Sequence, residues 1–244
     1  MNSLPEVNIC IPTANLGERS LEYLECCLSS IEDQDYPNIT VIISDHSKDD
    51  DVSWHLVDNW LDEEGKRPFK LRYTRYYENY GNAVANLNNA IDQASKNSLI
   101  KMLFQDDILK TKKAISTMVT CLRENGAHWL AVGCDHIDDN NADINYHHLP
   151  CWVNGLHLAY GNNLIGSPSV VMFRNCDLRM DSNLCYLNDC EFYYRMGKIY
   201  GSPALLHEEL ITIRMRSQGL SSTLDLGKVK RDENIYLDKK YDRA

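Results

Sequence analysis

Apolar residues follow two spacings along the first half of the chain. Short apolar and β-branched runs predict strands at 7–12, 39–43, 70–76 and 99–104. Between them, apolar residues recur every three or four positions, which predicts helices: Leu21, Leu24, Leu28 and Ile31; Val52, Leu56 and Trp60; Val84, Leu87, Ile91 and Ala94; Ile115, Met118, Val119 and Leu122. Gly126 follows the last of these helices at the position of a C′ glycine. The alternation predicts an α/β domain with a doubly wound, mostly parallel sheet flanked by helices.

The pattern is weaker in the second half. It predicts strands at 129–134 and 169–173 and a helix at 189–200. A polar stretch rich in His and Asn separates the two strands, at 135–163, and we expect so long a loop in a compact domain to be functional or mobile. The last segment, 223–244, is mostly charged and is expected to be a tail outside the domain.

Composition narrows the classes of partner. The 244 residues suffice for one domain, and the net charge of −10 argues against nucleic acid, which requires a basic face. No apolar run approaches the ~20 residues needed to span a bilayer, and no signal peptide is recognised, so we expect a cytoplasmic protein. The nine Cys form no C-x-x-C pair, which indicates buried thiols rather than a zinc site. A small molecule remains as the expected substrate or ligand.

Acidic residues end two of the predicted strands. Asp45 follows the strand at 39–43, and Asp106 and Asp107 follow the strand at 99–104. Ligands of open α/β sheets collect at the carboxyl ends of strands, and paired carboxylates there call for a hard divalent cation. The alternative is that the pair caps the next helix, and spacing alone leaves both open. The acidic runs at 49–51 and 138–139 lie in loop sequence and are expected to be solvated surface.

Five short segments carry a resemblance to a known family. They are VNICIPTAN at 7–15, Asp45 in IISDHSKDD, the helix at 79–94 followed by IKMLFQDDIL, Gly166-Ser167-Pro168-Ser169 before VVMFR, and 187–191 with Arg195. In this order they resemble family 2 glycosyltransferases across 7–222. The resemblance implies a GT-A fold over 1–222, with a nucleotide-sugar-binding half at 1–125 and an acceptor-binding and catalytic-base half at 126–222.

The resemblance further implies a donor site for a nucleoside-diphosphate sugar, with UDP as the nucleotide. The donor contacts are expected from Pro12, Thr13, Asn15, Asp45, Asn86, Gln105, Asp106, Arg214 and Arg216. Asp107, with Asp106, would hold Mn²⁺ or Mg²⁺ against the diphosphate. Asn86 shares a helix face with Asn82 and Asn89, and a solvated polar face is the alternative interpretation of these amides.

The same resemblance makes Asp189 the general base for an acceptor hydroxyl on a glycan or glycoconjugate, with inversion at the anomeric carbon. Glu191, Trp152 and His148 are the expected acceptor contacts, and such an acceptor could bring the protein to a membrane surface. Asn188 and Glu191 also have the spacing of a capping box, so the acidity at this helix start has a structural alternative.

One position departs from the family pattern. Arg216 stands about where many members place a metal-binding His. A guanidinium cannot bind a cation, but it fits phosphate oxygens, so we expect Arg216, with Arg214, to clamp the diphosphate and the metal to have fewer protein ligands.

Two other functions remain as alternatives. One is an inactive nucleotide-sugar-binding protein of the same fold, which would lack a usable base. The other is a nucleotidyltransferase, which normally needs a Gly-rich basic loop, and the segment at 12–17 is not one. No G-x-G-x-x-G follows the first strand, which disfavours a dehydrogenase.

Overall fold

The computed structural model describes residues 4–15, 17–47, 57, 60, 66–217 and 225–242. The strands are β1 (Val7–Thr13), β2 (Ile39–Asp45), β3 (Lys70–Arg75), β4 (Leu99–Met102), β5 (Ile108–Leu109), β6 (Trp129–Ile137), β7 (Asp143–His148), β8 (Val171–Arg174) and β9 (Ala204–Arg214). The helices in these ranges are α1 (Ser20–Glu32), α2 (Ala83–Asp92), α3 (Ala114–Asn125), α4 (Asn188–Tyr200) and α5 (Leu226–Lys240). Short 3₁₀ turns lie at Leu156–Leu158 and Pro168–Val170.

One sheet runs through the molecule in the order β3-β2-β1-β4-β8-β6-β9-β5, with β7 paired to β6. Strands β1 to β4 are parallel to one another, β6 and β9 are parallel, and β8, β5 and β7 pair antiparallel. Thr13 at the end of β1 lies opposite Asp45 at the end of β2. The predicted α/β class is confirmed, and its parallel half brings the strand ends to one edge.

The core forms where the sequence pattern is strongest. Every residue of β1 and β2 is buried, as expected for strands covered on both faces. Gly126 ends α3 in the left-handed conformation, with φ 62°, as predicted for a C′ glycine. Val57 and Trp60 are buried, while the rest of the predicted helix around Val52 and Leu56 lies outside the described residues, as does the acidic run at 49–51.

The expected loop at 135–163 contains regular structure. Strand β6 continues to Ile137 and turns back into β7, which pairs with it at Cys134–His148 and Asp135–His147. Because β7 is exposed along most of its length, its sequence lacks the alternation that marks a half-buried strand. The strands β5 and β9, which pair at the far edge, are further elements that the pattern did not predict.

The charged segment expected to be a tail forms α5. Leu237 is fully buried and packs with Leu184, Leu187 and Cys190 near the start of α4. Leu237 is the one buried apolar residue among the fifteen residues of this helix, so its apolar positions show little periodicity and the sequence did not reveal it. In the described part of the chain, no helix combines the length and apolar character required to cross a membrane.

Asn86 on α2 joins the first two strands. Its Nδ2 donates to the Thr13 carbonyl at 2.9 Å, and its Oδ1 accepts from Ser44 Oγ at 2.6 Å. The side chain is 2% exposed. Neither a solvated polar face nor a donor contact fits this environment, because both ends of the amide bind β1 and β2.

We expect Asn86→Ala to lower the free energy of unfolding by about 1–3 kcal/mol, because it removes the acceptor of the buried Ser44 hydroxyl and one of the donors to the Thr13 carbonyl. Urea denaturation measures the change. Asn125→Ala, at an exposed amide on the end of α3, serves as the control and should stay within about 0.5 kcal/mol of the parent. Equal effects for the two variants would show that the buried bridge contributes no more than a surface amide.

Candidate active site

The turn after β4 is fixed from below by Gln105. Its Oε1 accepts from the Ala14 backbone N–H at 2.7 Å, and its Nε2 donates to Ser20 Oγ at 3.1 Å. Gln105 therefore ties the turn to the loop after β1 and to the start of α1. Expected as a donor contact, it instead holds the loops around the site together.

Asp106 and Asp107 lie side by side in this turn. Asp107 is 4% exposed, and burial first, then the charge of Asp106, raises the pKa of its carboxyl. Burial likewise raises the pKa of Asp106, against the lowering effect of Arg216. Ionisation of both carboxyls in this turn is therefore unfavourable unless positive charge lies nearby.

Strand β9 and the residues after it bring two arginines to the pair. Arg216 Nε lies 2.7 Å from Asp106 Oδ2. The Arg214 backbone N–H donates to Asp107 Oδ1 at 3.1 Å, while its side chain donates to the carbonyls of Asp106 at 3.3 Å and Asp138 at 3.0 Å. Arg214 is buried and braces the turn, so of the two arginines Arg216 has the better position for a phosphate.

Lys101 lies beneath the acidic pair, and no role for it was predicted. It is fully buried in β4, and its Nζ donates to the carbonyls of Met102, at 2.9 Å, and Ser169. Burial lowers its pKa to about 7, while the charge of Asp107 opposes that shift. A lysine inside a buried strand is a signal in its own right, because a buried amine needs carbonyl or acidic partners.

The carboxylate ligands at this turn fit a hard divalent cation that is bound by few protein groups. Among the described residues, no group of three or more His, Cys, Asp or Glu gathers as a metal cluster. Two carboxylates that repel each other are what Mg²⁺ or Mn²⁺ commonly receives from a protein, with phosphate and water completing the shell. Asp107 and Asp106 would hold the ion, with Arg216 sharing Asp106.

At the ends of β1 and β2, beside the site, the side chains are mostly buried and hydrogen-bonded to neighbouring residues of the fold. Asp45 accepts from the Ser47 backbone N–H at 2.8 Å and hydroxyl at 2.6 Å, and from the Tyr73 hydroxyl at 2.6 Å. Pro12 and Thr13 are buried, whereas Asn15 is exposed and accepts from the Gly17 N–H. Among the residues at these strand ends that were expected to bind the sugar donor, only Asn15 is exposed to solvent.

The acidic run at 138–139 is partly exposed, in line with the surface position expected, and Asp139 also binds residues that are distant along the chain. Asp139 accepts from the Ser217 N–H at 3.0 Å and hydroxyl at 2.8 Å, and from the Tyr23 hydroxyl at 3.0 Å. These bonds hold the residue that directly follows Arg216. Asp139 therefore positions the arginine, and nothing in its local sequence marks that long-range role.

A cleft of about 490 Å³ opens beside the turn. Its lining includes Phe104, His136, Tyr146, His148, Asn163, Asp189 and Ile213. Phe104 is the chain neighbour of Gln105, and Ile213 that of Arg214, so the cleft lies close to the acidic turn.

Asp189 lies in the first turn of α4 at the wall of this cleft. Its Oδ2 accepts from Asn163 Nδ2 at 2.9 Å, and its Oδ1 accepts from the Cys190 N–H at 2.7 Å. Burial raises its pKa to about 6, although both hydrogen bonds oppose the shift. A carboxylate with this pKa is a stronger base than an exposed Asp and is still ionised at neutral pH.

Asn163 was not singled out from the sequence. Its Oδ1 accepts from the N–H groups of Ile165 and Gly166, and its Nδ2 donates to the Gly166 carbonyl as well as to Asp189. The amide thus fixes the turn before Pro168 and the base together. The only sequence signal was an Asn in a turn-rich stretch.

The three expected acceptor residues have different positions. His148 lines the cleft, as an acceptor contact requires. Trp152 instead packs edge-on against Trp129, with ring centroids 5.3 Å apart. Glu191 is fully buried and bonds both nitrogens of the Arg195 fork, at 2.6 and 2.7 Å. Trp152 and Glu191 are therefore structural residues, outside the cleft lining.

The capping box expected as the alternative at this helix is not formed. The N-cap is Leu187, which makes no side-chain cap, and Asn188 Nδ2 donates to the Cys185 carbonyl at 2.7 Å. With Glu191 bound to Arg195, the acidity at the start of α4 is not explained by local capping. Helix capping therefore does not account for the position of Asp189 in the cleft.

Comparison with known proteins matches this arrangement to one family. The model of glycosyl transferase family 2 matches residues 8–186, which is more than half of the chain. The chain belongs to glycosyl transferase family 2. Among curated relatives of this family member, a GalNAc(5)-diNAcBac-PP-undecaprenol beta-1,3-glucosyltransferase from Campylobacter jejuni is 30% identical over 126 residues, 51% of this chain and 37% of the relative.

Solved glycosyltransferase structures share the fold of this family member. Residues 1–349 of TarS from S. aureus, in complex with UDP-GlcNAc, superpose with a TM-score of 0.67 at 17% identity, covering 90% of this chain and 61% of that one. The mannosyltransferase PcManGT from Pyrobaculum calidifontis, in complex with GDP-Man and Mn²⁺, gives 0.58 at 16% identity, covering 86% and 58%. The chain spans from 37% to 61% of the length of these proteins. The GT-A fold is confirmed.

The electrostatics of the acidic turn lead to a prediction about stability. A folded carboxyl with a raised pKa is penalised once it ionises, so stability is lost as pH rises through the folded pKa. Asp107→Asn removes the penalty. We expect this variant, in the presence of EDTA, to have a higher unfolding midpoint than the parent at pH 8, with the difference vanishing near pH 4.

Asp139→Asn is the opposite control, because the hydrogen bonds from Ser217 lower the pKa of Asp139. That substitution should lower the midpoint at pH 8, with a smaller loss in acid. An Asp107→Asn variant that is less stable than the parent at pH 8 would contradict the assigned repulsion.

Proposed function

We propose that this protein transfers a sugar from a nucleoside-diphosphate sugar, with UDP as the nucleotide, to a hydroxyl group of a glycan or glycoconjugate, with inversion. The observation that carries the proposal is the position of Asp189. A carboxylate with a pKa of about 6 lies in a cleft whose lining includes Phe104 and Ile213, close along the chain to the acidic turn and to Arg216. An inactive binding protein of this fold would have no need of a base so placed.

Relatives support the choice of substrates. TarS has been crystallised with UDP-GlcNAc, and PcManGT with GDP-Man and Mn²⁺. The Campylobacter relative is named for a glycan carried on undecaprenol diphosphate. We extend these chemistries to this chain as a nucleotide-sugar donor and a saccharide acceptor, which could bring the protein to a membrane surface where the acceptor is lipid-linked.

The chain's own residues account for the proton and the charge. The acceptor oxygen attacks the anomeric carbon, the bond from that carbon to the phosphate oxygen breaks, and its electron pair leaves with the nucleoside diphosphate. Asp189 takes the acceptor proton as the new bond forms. Asn163 holds the carboxylate in place through its 2.9 Å bond to Oδ2. One base acting from the face opposite the leaving group accounts for inversion.

Arg216 meets the negative charge of the departing diphosphate, and its present bond to Asp106 keeps the guanidinium at the turn. A Mn²⁺ or Mg²⁺ ion bound by Asp107 and Asp106 would supply further positive charge for the leaving group. Arg214, Lys101 and Gln105 hold the turn in the shape that this arrangement requires.

Calorimetric titration with a panel of UDP- and GDP-sugars, with Mn²⁺ and with EDTA, tests the donor site. We expect at least one UDP-sugar to bind, and to bind more weakly in EDTA. Arg216→Ala should weaken donor binding by about 10–100-fold, since a hydrogen bond to a charged group contributes about 1.5–3 kcal/mol.

Lack of binding by every nucleotide sugar would remove the glycosyltransferase proposal. Unchanged donor affinity in Arg216→Ala would remove the clamp alone. Arg123→Ala, at the far end of α3, is a matched loss of one positive charge and should leave binding unchanged.

The pH dependence of transfer tests Asp189 as the base. Since the base acts in its ionised form, kcat/KM should be level above pH 7 and fall about tenfold per unit well below a pKa of about 6. Asp189→Asn should lower kcat by about 10²- to 10⁴-fold and abolish this pH limb.

Asp177→Asn, at an exposed carboxylate, is the control and should retain the parental profile. The donor affinity of Asp189→Asn should match the parent in calorimetry. A full pH limb in that variant would assign the proton transfer to another group.

A further inference from the structure

The C-terminal helix α5 is bonded to the segment that carries Asp189. Tyr236 and Lys240 donate to Asp181 at 2.8 and 2.5 Å, and Tyr241 donates to Glu191 at 2.7 Å. Asp181 has its pKa lowered to about 2, with the bond from Lys240 as the leading stabilising cause against burial. These contacts flank the start of α4 on both sides along the chain.

Glu233 lies between these contacts and binds the backbone. The side chain is buried, at 6% exposed. Its Oε1 accepts from the N–H groups of Cys185 and of Tyr186, the latter at 2.9 Å, and its Oε2 accepts from the N–H of Leu187 at 2.8 Å. One carboxylate thus satisfies three consecutive backbone donors.

These donors belong to the entry of α4. Leu187 is the N-cap and offers no side-chain cap of its own, and Asp189 is the second residue of the helix. Helix starts leave backbone N–H groups without partners inside the helix, and a carboxylate at that end is favoured by the helix dipole. Glu233 supplies, from 46 to 48 residues further along the chain, the cap that the local sequence does not.

Fixing three successive N–H groups fixes the peptide planes that lead into residue 189. Only two peptide units separate Leu187 from Asp189, so the direction of the Asp189 side chain follows from the clamp. Misplacement of a reacting group by about 1 Å can cost on the order of 10²-fold in rate. A base that is held by Asn163 on one side needs its backbone fixed on the other.

We infer that Glu233 is a positioning residue for Asp189, through which the C-terminal helix sets the geometry of proton transfer. The inference rests on the proposed function, in which Asp189 is the base. It also makes α5 a part of the catalytic arrangement rather than a charged tail.

The experiment compares Glu233→Gln with the parent in the full chain. The amide retains the size of the carboxylate, but only one of its two ends accepts, so at least one backbone N–H loses its partner. We expect kcat to fall about 10- to 100-fold while the dissociation constant of the donor changes less than about twofold. Glu233→Asp, which keeps the buried charge but withdraws it by one methylene, should also lower kcat.

A double-mutant comparison separates positioning from general stabilisation. In an Asp189→Asn background, Glu233→Gln should change the residual single-turnover rate less than about twofold, because the group it positions is already absent. An equal loss in both backgrounds would overturn the inference. Donor calorimetry on each variant establishes that it is folded, and if Glu233→Gln does not fold, Glu233→Asp takes its place in the cycle.

Asp238→Ala is the matched control on the same helix. It removes the 2.8 Å bond from Tyr160 to α5 and leaves the clamp on residues 185–187 intact. This variant should keep kcat within about twofold, and a loss as large as that of Glu233→Gln would assign the effect to helix docking. If the parent transfers no sugar, the proposed function and the inference are both overturned. If the parent transfers sugar and Glu233→Gln has the same kcat, the inference alone is overturned.

Discussion

The repulsion between the carboxylates of Asp106 and Asp107 is the constraint around which the rest of the site is arranged. Burial first, and then the charge of Asp106, raises the pKa of Asp107, while burial raises the pKa of Asp106 against the charge of Arg216. Groups from elsewhere in the sheet offset this repulsion. They are the backbone N–H of Arg214 at the end of β9, the side chain of Arg216 just after it, and the side chain of Lys101 in β4. The pairing of β9 with β5, which directly follows the turn, thus brings both arginines to the acidic pair.

A further acid, the half-buried Asp189, lies in the cleft beside the turn, in a different environment. Asp189 has no acidic neighbour among the causes of its shift; burial alone raises its pKa, and hydrogen bonds from Asn163 and Cys190 limit the rise. The acidic turn combines repulsion with arginine charge, whereas Asp189 combines burial with neutral donors. Carboxylates in such different environments suit different tasks: cation and phosphate binding for Asp106 and Asp107, and proton transfer for Asp189.

The sequence predicted those features that short stretches of chain determine by themselves. Continuous apolar runs fix β1, β2 and β4, and the strand ends then follow, so Asp45 and the acidic turn could be located. The rest depends on contacts between distant segments. Strand β7 is exposed and shows no alternation, and α5 has a single fully buried apolar residue, Leu237. Asn86, Gln105 and Glu191 look like ligand contacts in sequence, and only their buried partners show that they hold the fold together.

The extent of the family match gives these distant contacts a further meaning. The matched residues end at 186, before Asp189, Arg214, Arg216 and Glu233. The donor half of the site is therefore the part that the family pattern covers, while the proposed base, the arginines and the clamp lie beyond it. Burying Asp189 makes it a stronger base but withdraws it from water, so its position has to be maintained by polar contacts. Asn163 bonds the carboxylate itself, and Glu233 bonds the backbone at residues 185–187 just before it. The proposed proton transfer thus depends on how the turn at Asn163 and the packing of α5 against α4 hold one carboxylate.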